Sequence, residues 1–117
     1  MSDPADARLS DAEYRARAHA VLSAIEARVD AWLDEDVIDI DTHRTGGLLE
    51  LAFPNGSKII LNTQPPLQEI WLAARGGGYH FRFDGAQWVD TRDQVPFLRR
   101  LAQEASAQAG QSLDFGD

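Results

Sequence analysis

At 117 residues with a formal net charge of −8, the chain has the length of one domain with a real core and the wrong sign for a phosphate-backbone binder, although a nucleic-acid mimic would share that charge. It has no cysteine, which excludes disulfides, a thiolate nucleophile, Cys-ligated zinc and an iron–sulfur cluster held on its own thiolates. The N-terminus lacks a basic flank followed by an apolar run, and no apolar stretch approaches ~18 residues, so the expectation is a cytoplasmic protein with neither signal peptide nor membrane span.

Residues 1–117 are expected to form one domain, with residues 1–9 loose. Ser10 or Asp11 can cap a helix, and Glu13, three residues after Ser10, completes a capping-box pattern. Tyr14, Ala18, Val21, Leu22, Ile25, Val29 and Trp32 then recur every three or four residues, predicting an amphipathic helix of about six turns with Glu26, Asp30 and Asp34 on its wet side. The period next changes to two. VIDID predicts a strand over 37–41, with Ile38 and Ile40 on one face and Val37, Asp39 and Asp41 on the other, and THRTGG (42–47) is expected to be a turn.

GLLELAF resumes as a strand with Leu49, Leu51 and Phe53 inward, and Pro54-Asn55-Gly56 predicts a tight hairpin, since Asn-Gly readily supplies positive φ. SKIILN turns Ile59 and Leu61 inward, and LQEIWLAA turns Ile70 and Leu72 inward. In YHFRF, Tyr79, Phe81 and Phe83 alternate with His80 and Arg82, and AQWVD adds a short last strand. Asp93 is expected to cap a second helix with Pro96 in its first turn, Leu101 and Ala105 in its apolar stripe and Gly110 as C-cap, followed by a tail that offers Leu113 and Phe115 to the helix layer.

Helix, hairpin-spaced strands, helix is an α+β pattern: a two-layer sandwich with both helices on one face of a mainly antiparallel sheet. Strand parity places Glu50, Lys58, Ile60, Asn62, Glu69, Trp71, His80 and Arg82 on the other, open face. An exposed tryptophan there is either an interface anchor or a ring covered by a neighbour such as the stem of Arg82.

The densest chemistry lies in residues 26–41, EARVDAWLDEDVIDID, where Glu26, Asp30, Asp34, Glu35, Asp36, Asp39 and Asp41 face a single base, Arg28. Glu26, Asp30 and Asp34 recur at i, i+4 and i+8, where each like-charge pair costs roughly 0.2–0.5 kcal/mol, and they approach the helix C-terminus, where the macrodipole disfavours anions. A cation or a basic partner would relieve this; a plain solvated face is the alternative. Carboxylates spread along an edge suit hard or borderline cations, with water completing the shell, so binding is expected to be weak, exchangeable and unable to select one such cation by affinity. The stretch lacks the glycine and the bidentate glutamate of an EF-hand loop, and no nucleophile–base pair or Glu-x-x-His pair points to an enzyme. His19 is expected on the surface and His80 in a structural or partner-facing role, with His43 beside Asp41 a candidate auxiliary ligand.

The block GGLLELAFPNGSKIILNTQPPLQEIWLAARGGGYHF resembles the frataxin family, most closely its bacterial branch. The resemblance rests on Gly46-Gly47, Asn55-Gly56-Ser57, Asn62-x-Gln64-x-Pro66-Leu67, Ile70-Trp71-Leu72-Ala73 and Gly77-Gly78-Tyr79-His80-Phe81, and the flanking helices extend it over residues 9–115. It implies the same helix–sheet–helix sandwich and a role in iron–sulfur cluster assembly. It also implies Fe²⁺/Fe³⁺ binding on Glu26, Asp30, Glu35, Asp39 and Asp41, with Asp11 and Glu13 near the helix start falling where the family tends to have acids. The partners implied are the cysteine desulfurase and the scaffold protein, met by a surface that joins Glu26, Asp30 and Asp39 to Asn62, Gln64 and Trp71. Ala27, Ala31 and Leu33 depart from the family's acidic pattern, with Asp34 and Asp36 as candidate replacements, and the 42–47 turn looks about two residues longer than usual.

The expectation is therefore a non-enzymatic iron-binding regulator, a monomer or an iron-induced oligomer. Its rivals are a ferroxidase that stores iron in oligomers and a metal-independent acidic interaction module. Reversing the charges of Glu26 and Asp30 together is expected to weaken partner binding and leave the fold intact or slightly more stable.

Overall fold

The computed structural model describes residues 8–116. Helix α1 (Asp11–Asp34) starts on the predicted capping box: Ser10 Oγ accepts the Glu13 amide at 3.1 Å, and Glu13 Oε1 accepts the Ser10 amide at 3.3 Å. Its buried side chains are Tyr14, Ala18, Leu22, Ile25, Val29 and Trp32, one stripe at helical spacing. Of the segment expected to be loose, residues 1–7 lie outside the described residues. Leu9, at its end, is held by two bonds to Gln68.

Six strands follow, β1 (Asp41–Thr45), β2 (Leu48–Ala52), β3 (Lys58–Gln64), β4 (Glu69–Ala74), β5 (Gly77–Phe83) and β6 (Trp88–Asp90), in one antiparallel meander whose spatial order equals chain order. A single 3-10 turn, Pro65–Leu67, joins β3 to β4. Helix α2 (Phe97–Ala109) closes the domain, ending on Gly110 at φ +71 as expected. The core lies between the helices and one sheet face: Leu49, Leu51, Ile59, Leu61, Ile70, Leu72 and Phe81 all point into it at 0–1% exposure. Edge-to-face ring pairs tie the layers, with Phe81 on Phe97 at 4.8 Å and Trp32 on Phe115 of the tail at 5.0 Å. Tyr14 is buried yet satisfied, donating to the Glu69 carbonyl at 2.6 Å and accepting the Gln64 amide at 3.1 Å, and burial holds its pKa above the ordinary tyrosine value. The two-layer α+β sandwich anticipated from the sequence is the observed architecture.

Two elements differ from expectation. The first strand is not 37–41 but Asp41–Thr45, so 42–45 is ladder rather than turn, and only Gly46-Gly47 bends, with Gly46 at φ +57. The alternation in VIDID is real, since Ile40 is buried while Val37, Asp39 and Asp41 are exposed. Those residues lack a neighbour to pair with: Asp41 meets Ala52, and beyond it Phe53 donates its amide to Ser57 in the β2–β3 turn. The turn is thus short, not long, and His43 sits in mid-strand opposite Glu50.

Asp93 does not cap α2. Pairing of Val89 with Pro96 continues the sheet until the residue before Phe97, which makes Pro96 the cap. Asp93 instead accepts the Val95 amide and binds Arg100 at 2.5 Å, and that guanidinium holds its carboxyl below the usual range.

Candidate functional site

The acidic residues of α1 and the segment after it do not behave as one uniform ridge. Glu26 is neutralised: Arg44 of β1 places Nη1 2.5 Å from Glu26 Oε1. The same guanidinium donates from Nε to the Gly46 carbonyl and lies 3.0 Å through Nη2 from His19 Nδ1, so His19 is a surface histidine with a specific neighbour. Asp30, Asp34, Glu35, Asp36, Asp39 and Asp41 are all exposed, and among the described residues none of them makes an ion pair.

The backbone adds to the local cost. The Val37 amide reaches the Trp32 carbonyl and the Asp36 amide the Leu33 carbonyl, a Schellman closure with Asp36 at φ +60 in the position glycine prefers. Asp34, Glu35 and Asp36 thus crowd the negative end of the helix dipole, and no basic residue occupies the last turn. Such a helix end is a poor choice for stability and a ready place for positive charge.

Strand parity divides the rest of the group. Arg44 points toward α1, so Asp41 and His43, alternating with it on β1, face the open side of the sheet beside Glu50. Asp39 precedes the strand. Asp11 and Glu13 stand at the far end of α1; at a rise of about 1.5 Å per residue Glu13 is roughly 25 Å from Asp30, and its carboxylate is engaged in the capping box. Among the described residues no three Asp, Glu or His side chains converge to enclose an ion. Any cation on this edge would be held by one or two carboxylates and water.

The second feature is the open sheet face. Asn62, Trp71 and His80 are direct cross-strand neighbours in one row, and Gln64, Glu69 and Arg82 form the next. The Trp71 ring stacks on His80 at 4.2 Å with planes 8° apart, and its Nε1 donates to Glu69 Oε1 at 2.8 Å. Arg82 donates to Glu69 Oε2 at 2.7 Å. The cover on Trp71 is therefore His80, not the arginine stem, and Glu69, only 6% exposed, fixes both Trp71 and Arg82. A half-exposed indole held at both ring and N–H is a pre-formed contact rather than a flexible one. Beside it a depression of about 200 Å³ opens between Ile60, Asn62, Ala73 and Gly78.

The Asn55-Gly56-Ser57 turn serves the scaffold. Asn55 accepts from Ser57 and donates to the Gln108 carbonyl, while buried Gln108 bonds Ser57, Lys58 and the Arg75 amide, clamping the end of α2 to two hairpins. Sequence reasoning missed Arg44 and Glu69. The parity of DTHRT would have found Arg44 had those residues been read as a strand; nothing local marks Glu69, whose role depends on Arg82 thirteen residues on.

Residues 7–111 match the frataxin-like domain model. An iron–sulfur cluster assembly protein CyaY of Variovorax paradoxus is 53% identical over 107 residues, 92% of this chain and 97% of that one. The protein of the same name from Paraburkholderia phymatum is 51% identical over 106 residues, covering 91% and 97%. Among solved structures, the frataxin of Psychromonas ingrahamii superposes with a TM-score of 0.81 at 31% identity over 93% of this chain and all of that one. A trimeric yeast frataxin complexed with ferrous iron shares the fold, with a TM-score of 0.64 at 21% identity over 95% and 92% of the two chains.

Proposed function

The chain belongs to the frataxin family, in its bacterial CyaY branch, and from that premise we propose that it is a non-enzymatic, iron-responsive regulator of iron–sulfur cluster assembly in the cytoplasm. The observation that carries this is the set of six exposed carboxylates without an ion pair among the described residues, three of which, Asp34, Glu35 and Asp36, crowd a helix end that disfavours them. Two further facts support it: relatives at about half identity bear the name iron–sulfur cluster assembly protein, and a frataxin of the same fold was solved with ferrous iron.

In this reading Asp30, Asp34, Glu35, Asp36, Asp39 and Asp41 take Fe²⁺ or Fe³⁺ as cargo through single carboxylate contacts, with fast exchange. Asp11 and Glu13, at the opposite end of α1, take no part in that edge. The same acids meet a basic surface of the cysteine desulfurase complex, while Asn62, Gln64 and Trp71 contribute a second contact. Iron and partner then share ligands and must be thermodynamically coupled. The free protein is a monomer in this reading, with iron-induced oligomers as a further state that the ferroxidase alternative requires.

The test is sulfur delivery by the desulfurase with its scaffold protein, titrated with this chain with and without Fe²⁺ under anaerobic conditions. The rate is expected to respond to the chain and the response to change with Fe²⁺. A response indifferent to Fe²⁺ identifies a metal-independent acidic module, and oxygen uptake stoichiometric with added iron in air identifies a ferroxidase.

A further inference from the structure

We infer that Arg44 is an internal counter-ion that reserves Glu26, confines iron to the acids beyond it and so sets how tightly this edge of the molecule takes a cation; the inference rests on the iron-binding reading above. The guanidinium occupies the place a metal ion would take against Glu26 and is held there by three contacts, to Glu26 Oε1, the Gly46 carbonyl and His19 Nδ1. The Arg44 and Glu26 side chains are 18% and 29% exposed, so water and salt screen the pair less than a pair in open solvent. Gly46 lies in the two-residue turn and Arg44 in the ladder, and the charge therefore sits on a rigid element rather than a free arm.

Two consequences follow for a cation arriving at α1. At Glu26 it must displace Arg44 and leave that fixed charge unpaired. At Asp30, one turn on and about 5–6 Å from Glu26, it finds only Asp34 at i+4, in place of the three-acid i, i+4, i+8 stripe that the sequence spacing offers. Arg44 thereby keeps a potential three-carboxylate stripe in a two-carboxylate state, which suits exchange over capture.

The test is a double-mutant cycle read by anaerobic Fe²⁺ titration. Arg44→Met is expected to tighten Fe²⁺ binding by about three- to tenfold, the range expected for one added carboxylate on a partly screened surface. Glu26→Gln alone does not tighten binding and is expected to weaken it slightly, because it leaves the Arg44 charge unpaired one turn from Asp30. Glu26→Gln in the Arg44→Met background abolishes the gain. Arg44→Lys, which keeps the charge but not the fork of hydrogen bonds, stays near wild type; loosening of the hairpin would not spare that variant. Wild-type binding that Arg44→Met leaves unchanged overturns the role of Arg44 and leaves the iron reading standing. A wild-type protein that takes up no Fe²⁺ overturns both.

Discussion

Replacing Asp30 and Asp34 together by lysine is expected to weaken the proposed docking on the cysteine desulfurase complex by about ten- to a hundredfold and to leave the melting temperature unchanged or slightly raised. Both side chains are exposed and unpaired among the described residues, so reversal removes no native contact. It also relieves an i, i+4 repulsion and places positive charge at the helix C-terminus, where the macrodipole favours it. Affinity should fall mainly through the association rate, and raising the salt should shrink the difference between variant and wild type. Glu26→Lys behaves differently. It sets a second cation against Arg44 in a half-buried place and is expected to cost about 1–3 kcal/mol of stability, so a combined Glu26 and Asp30 reversal is expected to lose stability where the sequence alone predicts no loss. A large fall in melting temperature for the Asp30/Asp34 variant would show that those acids are structural.

Phe81→Ala is expected to cost about 3–5 kcal/mol, a fall of roughly 10–20 °C in melting temperature. Phe81 is fully buried in β5, faces Ile70 across the ladder and supports the first turn of α2 through its edge-to-face contact with Phe97. The neighbouring Tyr79 ring, 6.5 Å away on the same face, is held by its hydroxyl on Glu104 of α2 at 2.7 Å. Chemical denaturation of wild type and variant measures the difference. A loss near 1 kcal/mol would mean that the layers close over the gap and that β5 does not carry the sheet–helix contact assigned to it. Because His80 and Trp71 stand on the opposite face of the same strands, this variant also asks whether the open face keeps its stacked geometry when the layer beneath is loosened.

The long amphipathic helix was legible because its stripe runs unbroken from Tyr14 to Trp32 and its start is written in Ser10 and Glu13. Four of the six strands were legible because one face of each is buried, which fixes parity, and β6 because Trp88 and Val89 make it apolar on both faces. The first strand was not. It is an edge strand with no fully buried residue, so Thr42 and Arg44 carry no apolar signal, and the more hydrophobic VIDID before it drew the assignment four residues too early. That slip hid the main electrostatic fact of the candidate site, since a residue placed in a turn is not expected to reach back to Glu26 on a helix. The start of α2 was misplaced for a related reason: Asp93 has the chemistry of a cap, but the Val89–Pro96 pairing, invisible in local sequence, holds the chain extended past it. Neither the Asp36 backbone strain nor the Glu69 anchor of the tryptophan has a local signature, because each is set by bonds formed elsewhere in the fold.

The most direct measurement is an anaerobic Fe²⁺ titration of ¹⁵N-labelled protein, following which amide resonances broaden. Loss of signal confined to residues around 30–41 and complete after one or a few ions is the predicted result. Broadening that is uniform over the chain, or absent, would contradict an iron site on this edge and leave the carboxylates as a charged docking surface alone.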